Sequence, residues 1–177
     1  TLTDKYPNIE AFQKTKERFG NVINYVPEAV DAADVPKNLK GMRTIFCAFH
    51  HFPPEAARKI LENAVNHHSA IGIFEFAERR LNKIMLTLLM PVIVMLAMPF
   101  IKPMTMKRFF WVYIIPVIPW VLTYDAIVSY LKAYSPEDLK GLVRDINTVG
   151  YVWKIDKIAS CLNPMMITYL LGFPQEL

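Results

Sequence analysis

The chain has 177 residues, a length that suits one domain, or one domain that carries an insertion. Its net charge of +4 and pI of about 9.0 come from scattered basic residues without a Lys/Arg-rich tract, which argues against a nucleic-acid partner. The hydrophobic fraction of 53% and the mean hydropathy of +0.22 are high for a soluble protein. The two cysteines, Cys47 and Cys161, lie far apart in apolar contexts, so we expect buried free thiols in a reducing compartment.

The N-terminal part predicts a strand, a helix and a second strand. Residues 1–4 resemble the end of a strand, and the β-branched residues 21–26 predict a short strand. Between them, Asn8 can cap a helix over Ile9 to Phe19, because the apolar residues recur at helical spacing there, and Gly20 can end it.

Two further strands and a helix follow. Residues 44–49 form an almost continuous apolar run, which predicts a strand that is buried on both faces. A helix is predicted from Pro54 to about Asn66, and residues 70–76 predict a strand that ends near Glu75. Strands that alternate with helices are typical of a parallel sheet with crossover connections.

The C-terminal part begins with a well-marked helix. Ser135 is its expected N-cap, Pro136 occupies the first helical position, and acidic residues follow in the first turn. Residues 151–158 and 165–173 then predict two strands with no helix between them, so we expect an antiparallel pair.

Between these parts lies an apolar stretch with two long runs, Ile84–Ile101 and Phe109–Tyr124, separated by the basic segment KPMTMKR. The first run has 18 uncharged residues, close to the length of about 20 residues that a membrane-spanning helix needs. Prolines at 91, 99, 116 and 119 weaken both runs as regular helices. The stretch therefore predicts a membrane hairpin, spanning or interfacial; a soluble cap over the substrate or a dimer interface is the alternative.

Candidate functional residues lie where the predicted strands end, since ligands bind at the carboxyl ends of strands in open α/β sheets. They are Asp4, Glu28 and Asp31, His50 and His51, and Glu75. Each acid also has a structural alternative. Asp4 can stabilise a turn or cap a helix, and Glu28 and Asp31 can be solvated loop residues. Glu75 could orient the substrate, or it could equally pair with Arg79 or Arg80. An imidazole such as His50 or His51 can act as acid, base or donor.

Paired histidines also suggest a metal ion, but no H-x-x-H or C-x-x-C spacing completes a site, so we expect none. His67 and His68 fit the solvated end of the preceding helix instead.

The segments TLTDKYPN, YVPEAVDA, MRTIFCAFHHFPPEAARKIL and IGIFEFAERR, in this order, resemble a class I S-adenosylmethionine-dependent methyltransferase that is entered at its second strand. The segments DAIVSYLKAYSPEDLKGLV and ITYLLGFP resemble the C-terminal part of a bacterial branch with apolar segments after its fifth strand. The resemblance implies an α/β, Rossmann-like methyltransferase sheet that lacks its first strand, with an apolar helical insertion and a C-terminal antiparallel strand pair.

The resemblance also implies roles for individual residues. Asp4 would bind the ribose of S-adenosylmethionine, and Asp31, with Ala32 beside it, would contact the adenine. The residues after the family's fourth strand, Phe49, His50 and His51, would line the cleft near the methionine part. From their placement at a strand end, we expect His51 or His50 to be the base or to orient the methyl acceptor, and Asp125 is a further polar candidate near the cleft mouth.

The family's glycine-rich loop after its first strand is absent from these residues, so we expect upstream residues to be missing and this segment alone to bind the donor poorly. We expect three parts: residues 1–83 as the donor-binding half, 84–131 as the apolar insertion, and 132–177 as the C-terminal helix and strand pair.

The expected function is methyl transfer to a hydrophobic or membrane-borne small molecule at the cytoplasmic face of a membrane, with lipid contact and possible homodimers. A different Rossmann-like enzyme, such as a nicotinamide oxidoreductase, and a non-catalytic membrane adaptor are the alternatives. An acid after the second strand also suits the ribose of NAD, whereas the antiparallel final strands favour the methyltransferase.

Overall fold

The computed structural model describes residues 1–146, 149–159 and 166–175; Cys161 lies outside them. Helix α1 spans Ile9–Phe19, as predicted. The Asn8 side chain accepts a hydrogen bond from the Ala11 backbone N–H at 3.0 Å, and Gly20 ends the helix with a positive φ of 61°, which glycine adopts without strain.

The two predicted N-terminal strands are wrong. Leu2 and Tyr25 form only an isolated parallel bridge, held by the Leu2 N–H to Asn24 (2.7 Å) and the Val26 N–H to Leu2 (3.0 Å). A strand requires a neighbour over several residues, and within the described residues neither segment has one beyond this bridge.

The parallel pair and its crossover helix are as predicted. Strand β1 (Arg43–Phe46) pairs in parallel with β2 (Ile71–Glu75), and α2 (Pro54–Asn66) connects them. Burial on both faces was expected for the strand at residues 44–49, and this expectation is wrong. The observed strand, β1, lies at an edge of the sheet, and its Thr44 and Phe46 are exposed.

The expected burial of Cys47 is also wrong. It follows the edge strand in a left-handed conformation (φ 51°), and its side chain is exposed.

The C-terminal elements also agree with the prediction. The C-terminal helix, α7 (Pro136–Arg144), begins with a capping box between Ser135 and Asp138. Strands β3 (Tyr151–Ala159) and β4 (Met166–Pro174) are antiparallel, and β4 lies between β2 and β3. The described residues thus form a mixed α/β structure with an open four-stranded sheet of order β1-β2-β4-β3.

The hydrophobic core lies where α2 and α7 cover the sheet. Its buried side chains come from both helices, the strands and the turn after β1: Phe49, Ala57, Ile60, Leu61, Ala64, Ile71, Ile73, Leu139, Ile146 and Leu170. The described residues in the ranges 1–80 and 133–175 contain the whole sheet, and we call them the sheet body.

Residues 81–132, which we call the helical segment, are helical throughout most of their length. They contain α3 (Leu81–Thr87), α4 (Met90–Ala97), α5 (Met106–Phe109), a π-helical turn (Phe110–Ile114) and α6 (Val117–Lys132). Helices α3 and α4 pack on α6, and prolines stand where helices begin, since proline favours the first turn and disrupts the interior.

In the described parts of the chain, no single helix has both the length and the apolar character to cross a membrane. Two bent pairs meet these criteria together: residues 81–87 with 90–100, bent by 46°, and residues 106–114 with 117–132, bent by 68°.

The helical segment leaves most of its large apolar side chains exposed. The exposed fraction is 69% for Leu96, 84% for Phe100 and 60% for Trp120. Single exposed apolar residues are normal on a protein surface, whereas a large contiguous apolar surface marks a site of interaction with a partner or a membrane.

A buried carboxylate joins the helical segment to the sheet body. Glu78 lies 2.9 Å from Arg80 Nε, 3.2 Å from Lys83 Nζ and 2.7 Å from Lys157 Nζ on β3. Burial alone would raise the pKa of Glu78, but the hydrogen bonds from Lys157 and Lys83 outweigh it, and the pKa is lowered. The ion pairs therefore hold the start of α3 against the sheet.

Candidate active site

A buried histidine–carboxylate pair lies at the carboxyl ends of β1 and β2. The imidazole of His50 is 94% buried and its Nδ1 lies 2.7 Å from Glu75 Oε2, while Glu75 is 98% buried. Because both strands are parallel and end at the same edge, the turn after β1 meets the last residue of β2. His50 Nε2 is buried and has no hydrogen-bond partner among the described residues.

Glu75 also shapes the turn that carries the histidines. Its Oε1 accepts hydrogen bonds from the backbone N–H groups of Phe49 (2.6 Å) and His50 (3.3 Å) in the short 3₁₀ turn of residues 49–51. The sequence-based options for Glu75, which were to orient the substrate or to pair with Arg79 or Arg80, did not include this contact. The carboxylate therefore fixes both the backbone of the turn and the orientation of the His50 ring.

The other two residues of the turn have different surroundings. Phe49 is completely buried, with its ring 6.2 Å from that of Phe52 and 5.6 Å from that of Tyr134, so its side chain belongs to the core. His51 is exposed, and its ring centroid lies 4.3 Å from that of His50. The structure thus separates the two histidines into a buried, oriented one and an accessible one.

A groove with a volume of about 720 Å³ runs along the free edge of β1. Asp4, Asp31 and Ala32, the residues proposed for the ribose and the adenine, all line it. Ala48 and Phe52 line it as well, and they flank the turn of residues 49–51. Residues 27 positions apart in sequence are therefore brought to one concave surface, which ends beside the candidate catalytic turn. Phe49, His50 and His51 themselves do not line the groove.

The two acids in the groove are held in place by local contacts. Asp4 Oδ1 accepts a hydrogen bond from the Tyr6 backbone N–H at 2.7 Å, and Asp4 Oδ2 accepts none from the described residues. Asp31 accepts hydrogen bonds from Lys5 Nζ (2.7 Å) and from the Ala33 backbone N–H (2.9 Å). The hydrogen bond from Lys5 is the main cause that lowers the pKa of Asp31.

The remaining sequence candidates lie apart from the site. Glu28 is exposed and does not line the groove, and Asp125 is exposed on α6. His68 is exposed, as expected of the end of α2, but His67 is half-buried and its Nδ1 lies 2.8 Å from Arg43 Nη2. Within the described ranges, no group of three or more His, Cys, Asp and Glu residues is placed to hold a metal ion.

Sequence reasoning missed the His50–Glu75 pair, although it selected both residues. The signal was available, because parallel neighbouring strands bring their final residues to the same edge. It also missed Phe46 and Phe52 in the groove, which carry no chemical signature of their own.

Comparison of the chain with protein-family models, with curated proteins and with solved structures finds no match.

Proposed function

We propose that this protein transfers a methyl group from S-adenosylmethionine to a hydrophobic or membrane-borne small molecule. The observation that carries the proposal is the groove, because it joins Asp4, Asp31 and Ala32 beside the turn with the histidines. The antiparallel insertion of β4 between β2 and β3 supports a methyltransferase over a nicotinamide oxidoreductase.

The residues in the groove suit an adenosine moiety. Asp4 Oδ2 is free to accept hydrogen bonds from ribose hydroxyl groups, and Asp4 Oδ1 is already fixed by Tyr6. Asp31 can accept a hydrogen bond from an adenine amino group, while Ala32 leaves space for the flat base. A volume of about 720 Å³ is within the range of small-molecule sites, about 300–1,000 Å³.

His50 is the better candidate for the base. If Nδ1 carries the proton that is donated to Glu75, the lone pair of the ring is on Nε2, which is the arrangement of an oriented general base. His51, exposed beside it, would orient the methyl acceptor. This assignment narrows the sequence-based choice between the two histidines.

Bound S-adenosylmethionine would supply an electrophilic methyl group. His50 Nε2 is buried in this structure, so the turn of residues 49–51 would have to open toward the groove. His50 Nε2 would then take the proton of the acceptor as the acceptor's lone pair attacks the methyl carbon and the carbon–sulfur bond breaks. Glu75 would stabilise the imidazolium that forms, and burial of the pair would exclude water from the proton transfer.

The helical segment supports a hydrophobic acceptor. It follows β2 directly, α6 packs against the turn of residues 49–51, and its exposed side chains are largely apolar. A lipid surface at its outer face would bring a membrane-borne acceptor near this turn. Trp111 and Trp120, both exposed, suit the headgroup level of a membrane.

The test is calorimetric titration of S-adenosylmethionine into the full-length gene product in mild detergent. We expect micromolar binding that is lost on Asp4→Ala and retained on Asp34→Ala, an exposed loop acid outside the groove. Absence of binding by a folded protein would favour the adaptor or a different nucleotide.

A second measurement separates the histidines. We expect His50→Ala to retain donor binding and lose turnover, and His51→Ala to raise the KM for the acceptor. Full turnover of His50→Ala would remove His50 from the mechanism, and full turnover of His51→Ala with an unchanged KM would remove His51.

A further inference from the structure

A second cavity lies at the opposite end of the sheet, beside the amino ends of β1 and β2. It has a volume of about 550 Å³ and is bounded by residues 37–43 and by residues 66–70 after α2. It shares a wall with the groove at residues 39–41 and Arg43. The residues assigned above to the donor, Asp4, Asp31 and Ala32, do not line this cavity, and the candidate catalytic turn is at the other end of β1. The function proposed above therefore gives this cavity no role.

Every ionisable side chain that lines the cavity is basic. The cavity is lined by Lys37, Lys40, Arg43, His67 and His68, and no carboxylate is among the described residues that line it. Three permanent positive charges thus line one open cavity, the half-buried Arg43 and the exposed Lys37 and Lys40. This local excess of positive charge is not evident from the net charge of +4, because carboxylates elsewhere in the protein offset most of the other cations.

Arg43 is the central cation of this cavity. Its Nη1 donates to Asn63 Oδ1 at 2.6 Å, and its Nη2 lies 2.8 Å from His67 Nδ1, but neither partner carries a negative charge. Arg43 forms no ion pair with any described carboxylate, and its Nε is buried without a partner. A half-buried guanidinium without a counter-ion is costly unless an anion compensates it.

His67 adds a neutral donor. Arg43 cannot lose its proton at ordinary pH, so it donates to His67 Nδ1, and the ring proton of His67 is then on Nε2. His67 therefore offers an N–H group without competing for the anion. The Tyr151 hydroxyl donates to the Ser69 carbonyl at 2.7 Å and fixes the wall on this side.

The C-terminal end of α2 opposes an anion in this cavity, because the helix dipole is equivalent to about half a negative charge at this end. The last carbonyl groups of this helix already accept hydrogen bonds from the backbone N–H groups of His67, His68 and Ser69. Three full positive charges outweigh the remaining partial charge.

We propose that this cavity binds a phosphate group. The planar guanidinium of Arg43 matches the geometry of phosphate oxygens, and Lys37 and Lys40 can close over them as mobile charges. A cavity of this volume has room for a small phosphorylated molecule. The phosphate can belong to a soluble molecule or to a lipid headgroup, and the chemistry of recognition is the same for both.

The test uses pyrophosphate as the soluble probe and vesicles of phosphatidylcholine with phosphatidic acid as the lipid probe. The variant Lys37→Glu/Lys40→Glu reverses two charges of the cavity that take part in no ion pair among the described residues. The matched control is Lys59→Glu/Lys140→Glu, with the same change in net charge on exposed helix positions outside the cavity.

We expect calorimetry to show pyrophosphate binding that weakens at least tenfold in the cavity variant and stays within twofold in the control. Pyrophosphate binding with this pattern assigns a soluble phosphate, and the same pattern with phosphatidic-acid vesicles alone assigns a headgroup. Equal loss in both double variants, or binding of neither probe by the unaltered protein, would overturn the proposal. An unchanged melting temperature of each variant is the check on folding.

Discussion

The sheet body and the helical segment use apolar side chains in opposite ways. In the sheet body, Leu61 and Ile73 are at most 1% exposed and form a closed core between helices and strands, whereas Leu96 and Trp120 of the helical segment are 69% and 60% exposed. Burial of apolar surface drives folding in the first region. In the second, the described residues leave the apolar surface uncovered, and it remains available to a partner or a membrane.

The first prediction tests this comparison directly with two leucines. We expect Leu61→Ala to lower the free energy of unfolding by about 2–5 kcal/mol, because it leaves a cavity in the core. Leu96→Ala should change it by less than about 0.5 kcal/mol, because the side chain is exposed. Urea denaturation followed by circular dichroism measures both, and equal losses would contradict the division into two regions.

A second pair of substitutions tests packing within the sheet body. A Cβ at Gly172 on β4 would lie 2.7 Å from Trp153 Cε3 and 2.8 Å from Tyr151 Cε1, so Gly172→Ala should cost about 1–3 kcal/mol of stability. Gly141→Ala on α7 meets no atom within 4 Å and should stabilise by up to about 1 kcal/mol. A shift of both urea midpoints in the same direction would contradict this interpretation.

The third prediction concerns the partner of the helical segment. Leu96→Glu should reduce flotation with anionic lipid vesicles at least tenfold, because a charged side chain resists transfer into the bilayer. Val22→Glu in the sheet body is the control, since Val22 is 88% exposed and lies outside the helical segment. If both variants float like the unaltered protein, a cap over the substrate or a dimer interface becomes the better account of the apolar surface.

The smallest expected effect is a dependence on alkaline pH that belongs to the sheet body. Burial raises the pKa of Tyr151 to about 12, against the opposing effect of Arg43, whereas the unfolded side chain ionises near pH 10. Stability from Tyr151 is therefore present below pH 10 and is lost between pH 10 and 12.

Tyr151→Phe should lower the free energy of unfolding by about 1 kcal/mol at neutral pH, because it removes the hydrogen bond to the Ser69 carbonyl. Its stability should also decline less above pH 10 than that of the unaltered protein. Tyr6→Phe, at an 82% exposed position, should decline like the unaltered protein. Urea unfolding at pH 8, 10 and 11 distinguishes the two variants, and parallel curves would contradict the assignment to Tyr151.

The well-capped elements were predictable from sequence because their signals are local. Asn8 and Gly20 mark α1, Pro54 begins α2, and Ser135 with Asp138 begins α7. The antiparallel pairing of β3 with β4 was also predictable, because two strand signals with no helix signal between them favour such a pair. The pairing of β2 with β4 was not predicted from the residues, because the helices α3 to α7 and strand β3 lie between these strands in sequence.

Predictions that depend on a neighbour failed. Burial of Cys47 and of both faces of β1 required a further strand beside β1, which the described residues do not supply. Of the candidate site, the residue types were predictable, but the hydrogen bond from His50 to Glu75 depends on the parallel register of two strands. The basic cavity brings together residues 37–43 and 66–70, whose sequence shows no motif.

Arg79 connects the two ends of the helical segment, since it precedes the segment in sequence and contacts residues that follow it. Its Nη2 donates to the Ala133 carbonyl at 3.0 Å and lies 3.6 Å from Asp138 Oδ2, so one side chain spans the points where the chain leaves the sheet body and returns to it. Because entry and exit are adjacent, we expect that a short glycine-rich loop in place of residues 81–132 would have a small cost in closure entropy. In chain connectivity, the helical segment is thus an insertion between two neighbouring points of the sheet body.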